Sequence, residues 1–286
     1  MKLQNICGLA LLCLLISTTA WGQPIPKNTK TESSEPDKPP LDGLYEPKIM
    51  KEKRTLAWEN VREADVFWEK RVWRIIDVRE KMNQPFVYPE SPFINIILDA
   101  AKNGEITIYN EISENFTSPM TKDEAASIGA SVDSITYVDP VTFQETIKVV
   151  YNELNWEDIK RFRVKEVWYF DEETSVMKSR ILGIAPLQEV YDDQGNFKYE
   201  KPMFWAYYPE LRQVLAHKEA FNDYNDKTRM SWEDVFEMRF FSSYIYKRSN
   251  VKDYKIEHMY SGVDALLEAD KIKNEIFDFD HDLWSN

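Results

Sequence analysis

Three histidines, His217, His258 and His281, are the natural place to look for metal or acid–base chemistry. They lie far apart, with no His-x₃-His pair and no His-Glu-x-x-His run, so they do not spell a zinc site. A Gly-x-Ser-x-Gly elbow is absent, as is a glycine-rich phosphate loop, and the chain holds eight glycines in all. Cys7 and Cys13 both fall in the first apolar run. If that run is removed, no thiol remains for nucleophilic attack, a disulfide or metal ligation. Carboxylates are plentiful, and a pair of them in a cleft would suit acid–base hydrolysis. Their abundance is also the reason that no pair stands out. Asp278-Phe279-Asp280-His281-Asp282 imitates the opening of a calcium loop. Its sixth position is Leu283 where the turn requires glycine, and no twelfth-position Glu follows. An acidic, solvated tail fits it better. Asn115-Phe116-Thr117 matches a glycosylation sequon, a frequent chance match. The residues therefore point to no catalytic group, no cofactor and no metal.

The N-terminus supplies a compartment. Met1-Lys2 is a short basic start, Ile6 to Ile16 is apolar, and Ala20-Trp21-Gly22 gives small residues before Gln23. That is the pattern of a cleaved secretory signal over residues 1–22, and it is too short to span a bilayer. Neither cysteine follows a small residue, so a lipid-attachment site is not expected. Residues 23–43 are rich in Pro, Lys, Thr, Ser and Glu, with Ile25 and Leu41 among few apolar groups. Such a segment buries too little to offset the entropy of ordering it, and a flexible leader is expected. Residues 44–286 then form a single domain, or two subdomains parting near 150.

The formal charge is −13, and loss of a signal containing one lysine makes it one unit more negative. An acidic chain is repelled by nucleic-acid phosphates and anionic headgroups, and a basic partner surface complements it better. Aromatic residues make up 14% of the chain and all but one of nine tryptophans lie beyond the signal. That surplus suffices for a core and leaves some for the surface.

Between Trp58 and Met82 the spacing predicts a helix. Val61, Ala64, Trp68, Val72, Ile75, Val78 and Met82 recur at intervals of three and four. Trp58, Val66, Trp73 and Ile76 fall away from that stripe and make a second apolar side. Two explanations stand open: a helix sandwiched within its own domain, or a side that meets another subunit. The second makes Trp58, Val66, Trp73 and Ile76 candidate partner-binding residues. Gln84-Pro85 ends this helix. Phe93 to Lys102 is a further helix closed by Asn103-Gly104, Glu105 to Tyr109 alternates as a strand, and Thr121-Lys122-Asp123-Glu124 is a capping box. Ile147–Tyr151, Arg161–Phe170, Val176–Ile184 and Met203–Tyr208 have strand character, with turns at 171–175 and 192–196. Pro209 opens a helix to about Phe221, Ser231 caps one running to about Lys247, and Val263 to about Ile276 makes the last. The fold class expected is α+β: an antiparallel sheet flanked by amphipathic helices, after a disordered N-terminal leader.

Long tryptophan-rich blocks in this order resemble the GldN/PorN family of the Bacteroidetes envelope. They are Asp65-Val66-Phe67-Trp68-Glu69-Lys70-Arg71-Val72-Trp73-Arg74 continuing to Pro85, Val167-Trp168-Tyr169-Phe170-Asp171 with Arg180 to Leu187, Phe204-Trp205-Ala206-Tyr207-Tyr208-Pro209-Glu210, and Phe240 to Lys247. The resemblance spans roughly residues 44 to 256. It implies a periplasmic structural subunit of the type IX secretion and gliding machinery, assembling into rings with a GldK/PorK-like outer-membrane lipoprotein. It also implies proximity to the periplasmic region of a GldM/PorM-like motor protein, at the inner face of the outer membrane. It carries over no catalytic residues. A periplasmic module binding a small molecule or glycan, and an acidic-pair hydrolase, are the alternatives, and each needs a concave pocket.

Overall fold

A computed structural model describes residue 44 and residues 48–284, except 129–130, 139–144, 153, 193, 224 and 226. By its internal contacts the chain parts after Glu46, and the sheet and its helices belong to the unit Pro47–Asn286. The expected signal, the leader and their boundary near residue 43 lie outside the described residues.

A short helix α1 (Ile49–Glu52) leads through extended chain and a 3₁₀ turn (Glu63–Asp65) into strand β1 (Val66–Asp77). A 3₁₀ segment (Lys81–Val87), helix α2 (Phe93–Asn103), strand β2 (Ile108–Asn110) and helix α3 (Lys122–Ser127) come next. Strands β3 (Ser131–Val138) and β4 (Glu145–Asn152) pair with each other alone. Then come β5 (Arg161–Asp171), β6 (Val176–Tyr191), β7 (Phe197–Pro202), β8 (Phe204–Tyr207) and α4 (Tyr208–Ala216). Two short strands, β9 (Glu219–Ala220) and β10 (Met230–Ser231), precede α5 (Trp232–Glu237), β11 (Tyr244–Arg248) and the long α6 (Val263–Trp284). The main sheet runs β11-β1-β5-β6-β8-β2, with β7 on β6. Its pairs are antiparallel. The α+β expectation holds.

The helix expected over Trp58–Met82 is instead strand β1, between β5 and β11. Central strands covered on both faces put apolar side chains at odd and even positions alike. Such a run offers an apolar residue every third or fourth position by chance, which imitates a helical stripe. The β-branched and aromatic content of Val66-Phe67-Trp68 and Val72-Trp73-Arg74-Ile75-Ile76 favours the pleated alternative. The helix expected from Ser231 to Lys247 is also shorter. Ser231 caps it through a reciprocal capping box with Asp234, but it ends at Glu237. Arg239 then takes a left-handed φ of 55°, and Tyr244–Arg248 turns into the edge strand on β1. The helix from Pro209 stops at Ala216 rather than near Phe221. The α2 helix ends as expected, with Gly104 left-handed at φ 74°, and Thr121 and Glu124 form the anticipated capping box.

Pleating sends Val72, Arg74 and Ile76 to one face of the sheet and Trp73 and Ile75 to the other. On the first face Ile76, Phe162, Val164 and Ile184 meet Phe93 and Ile97 of α2, Leu211 of α4, and Trp232 and Phe236 of α5. Burying each such side chain contributes about 1.5–3 kcal/mol. Beyond Arg74 on the same face, Val72 and Ile245 lie under Ala269, Ile272 and Ile276 of α6, and Phe279 stacks on Trp68 at 4.8 Å. On the second face Trp73, Ile75, Ala185, Trp205 and Tyr246 form a separate cluster joined by Tyr109, Phe116 and Tyr244.

Candidate partner-binding surface

The four residues singled out in the sequence do not share one surface. Ile76 is fully buried in the main core, and Trp73, on the opposite face, is 6% exposed. Trp58 lies half-buried at the core margin, stacked on Tyr208 at 6.1 Å with the Arg212 guanidinium 4.5 Å above its ring. Val66, partly exposed like Trp58, borders a groove of about 520 Å³ shared with Val61, Glu63, Phe67, Trp68 and Glu69.

The second face of the sheet is basic as well as aromatic. Register places Lys165 of β5 and Lys247 of β11 on either side of Trp73, and Arg163 beside Ile75. Both amines lie over the Trp73 ring, at 5.7 and 4.5 Å, and Arg163 lies 4.7 Å from the Tyr246 ring. Cations over aromatic faces gain from the ring quadrupole, more so when desolvated. The segment between β2 and α3 roofs this layer. Lys165 donates to the Glu114 carbonyl at 2.6 Å and to Asn115 Oδ1 at 3.3 Å. Phe116 packs edge-on against Tyr109 and Tyr207. Burial pushes the Lys165 amine below its ordinary value against the pull of Glu114, and the Arg71 and Lys247 charges push the same way. The sequence carried a signal for this layer that was missed: Arg161, Arg163 and Lys165 alternate along an expected strand and so must share a face.

The opposite face holds a buried charge cluster of its own. Glu166, wholly buried, accepts from Arg74 Nε, from Arg239 Nη2 at 2.5 Å and from Trp168 Nε1 at 2.8 Å. Burial alone would raise its carboxyl, but the Arg74 and Arg239 charges and these hydrogen bonds bring it below the ordinary glutamate value. With every oxygen engaged, this arrangement ties β1, β5 and the turn after α5 together; it offers no free base.

An apolar groove of about 460 Å³ opens between the Lys81–Val87 segment and the β9, β10 and α5 region. Phe86 and Trp232 form its floor, 4.7 Å apart between ring centroids. Met82, Phe221 and Phe240 stand on its rim, 43%, 41% and 48% exposed. Trp232 Nε1, buried, finds no acceptor among the described residues. Sequence reading placed Phe240 inside a helix and so could not bring it to Met82.

No group of three or more His, Cys, Asp or Glu among the described residues is placed to hold a metal ion. Of the histidines, His217 Nδ1 contacts the Met50 carbonyl at 3.0 Å and His258 packs beside Tyr254.

The model of the gliding motility associated protein GldN family matches residues 61–285. The chain belongs to the GldN family. It is accordingly a component of the gliding-motility and type IX secretion machinery. No curated protein matches it. The GldN match begins just before β1 and extends through α6, so it takes in the main sheet, both of its faces and the groove. Among the described residues, no helix of this GldN chain is long and apolar enough to cross a membrane.

Proposed function

We propose that this chain is a non-catalytic assembly subunit of that machinery, acting in the periplasm and held beneath the outer membrane by a GldK/PorK-like lipoprotein. Self-association in a ring, next to the periplasmic region of a GldM/PorM-like motor protein, completes the proposal. The observation that supports it best is the groove of Met82, Phe86, Phe221, Trp232 and Phe240. Exposed aromatics around a deep apolar floor are the composition of an interface centre. The lipoprotein is the occupant proposed: among the described residues no helix is long and apolar enough to cross a membrane, and an anchored partner would retain such a domain.

Co-expression tests this directly. Phe221→Ser with Phe240→Ser should leave the melting temperature near that of the parent, since both rings are two-fifths or more exposed. Capture by the lipoprotein should fall by about tenfold or more, the loss typical of an interface aromatic. Unchanged capture with an unchanged melt would overturn the assignment of the groove.

A further inference from the structure

Arg163, Lys165 and Lys247 are 6%, 4% and 6% exposed, an unusual depth for three neighbouring cations. Their anionic company is thin. The Glu114 carboxylate lies 3.8 Å from Arg163 Nη1 and 3.7 Å from Lys247 Nζ, between the two yet beyond hydrogen-bond distance of both. Asp253 pairs with Lys247 at 2.8 Å, but it is largely in solvent. Arg163 Nε, buried, donates to nothing among the described residues, and Trp73 Nε1, Trp205 Nε1 and Tyr246 Oη in the same layer are likewise unpartnered. Buried donors without acceptors are costly, and each one here is in or against the aromatic cluster of the second face.

The roof over these groups carries backbone strain. Phe116 occupies left-handed backbone at φ 57°, a strained conformation for an aromatic residue. An open groove of about 600 Å³, lined by Asn110, Glu114, Asn115 and Asp253 among others, reaches the carboxylates that face Lys247.

We propose that Arg163, Lys165 and Lys247 form an anion site whose present occupant is the Glu114 carboxylate, and which takes a carboxylate from an acidic partner segment when the roof lifts. A carboxylate suits it better than a phosphate. Its planar pair of oxygens matches the free Nε edge of a guanidinium. A dianion would meet a heavier desolvation cost among Trp73, Phe116 and Tyr246. The site sits on the opposite face of the sheet from the apolar groove and does not depend on it.

An oligoglutamate peptide titrated into the purified protein by calorimetry provides the test. Binding should be weak in the parent and about tenfold tighter in Glu114→Gln, because removal of an internal competitor raises the fraction of competent sites. Arg163→Met and Lys247→Met should each lose it, with a melting scan confirming that at least one of them is folded. Inorganic phosphate at equal concentration should not displace the peptide. Absence of binding to both the parent and Glu114→Gln would overturn the proposal, as would binding indifferent to both cation variants. Equal displacement by phosphate would overturn the choice of carboxylate.

Discussion

Phe116 lies against Gly183 so closely that a β-carbon added at Gly183 would stand 2.5 Å from the ring. The glycine in the middle of β6 is thus a socket for the roof of the second face. Gly183→Ala should force the ring out and loosen residues 111–118 without dismantling the first-face core. Hydrogen exchange should quicken in that segment while α2 stays protected, and oligoglutamate binding should strengthen as it does in Glu114→Gln. Unchanged exchange in 111–118 would show that the backbone absorbs the methyl group elsewhere.

Glu166, itself without solvent contact, is bound by the nearly buried Arg74 and by Arg239, whose side chain is 27% exposed, so removing its charge strands Arg74 above all. Breaking one partner out of a buried ion cluster costs about 3–5 kcal/mol. Glu166→Gln should therefore lower unfolding stability in that range, measured by urea titration. Replacing the cluster wholesale by apolar residues of matched volume should cost less, because nothing charged is then left buried.

Acid should weaken the fold in a defined window. Glu166 has its folded value below the ordinary 4.5, so its contribution is complete above that value and is lost as pH falls through the lowered one. Asp77 follows the same sign. The Arg79 side chain's hydrogen bond is the main cause, its backbone N–H and Arg161 add to it, and burial opposes them. Glu200 and Glu233 run the other way, because burial raises them despite Arg161 and Arg212 respectively. The difference in melting temperature between parent and Glu166→Gln isolates the Glu166 part. It should shrink as pH falls below the ordinary 4.5 toward the lowered folded value, and a difference that stays constant on acidification would contradict the assignment.

Legibility in the sequence tracks the range of the interactions involved. The capping boxes at Thr121 and Ser231 and the left-handed Gly104 are settled within a few residues, and they appear where expected. The β5–β6 hairpin was legible because its turn separates two runs of strand-forming residues. β1 was not, because its two apolar faces become intelligible only when β5 and β11 stand beside it. The acidic run at 278–282, expected as a solvated tail, continues α6, with Phe279 stacked on Trp68 about 200 residues earlier in the chain. The basic layer was hidden for a similar reason. Arg163 and Lys247 are 84 positions apart and meet only across β1.

Trp73 offers the sharpest separation of folding from assembly. Its ring is buried within its own chain against Ile75, Trp205 and Tyr246, and it supports the amines of Lys165 and Lys247. Trp73→Ala should thus act as a core truncation and lower stability by about 3–5 kcal/mol. Trp73→Phe keeps a ring under both amines and should recover a large part of that loss. Lipoprotein capture by Trp73→Ala should fall only as far as its folded fraction falls, in contrast to the Phe221 and Phe240 pair. Urea titration beside capture at a temperature where the variant is folded makes the comparison. A parent-like urea midpoint with capture abolished would place Trp73 at the partner interface, as a helix carrying it outward would have required, and would refute its burial in the second face.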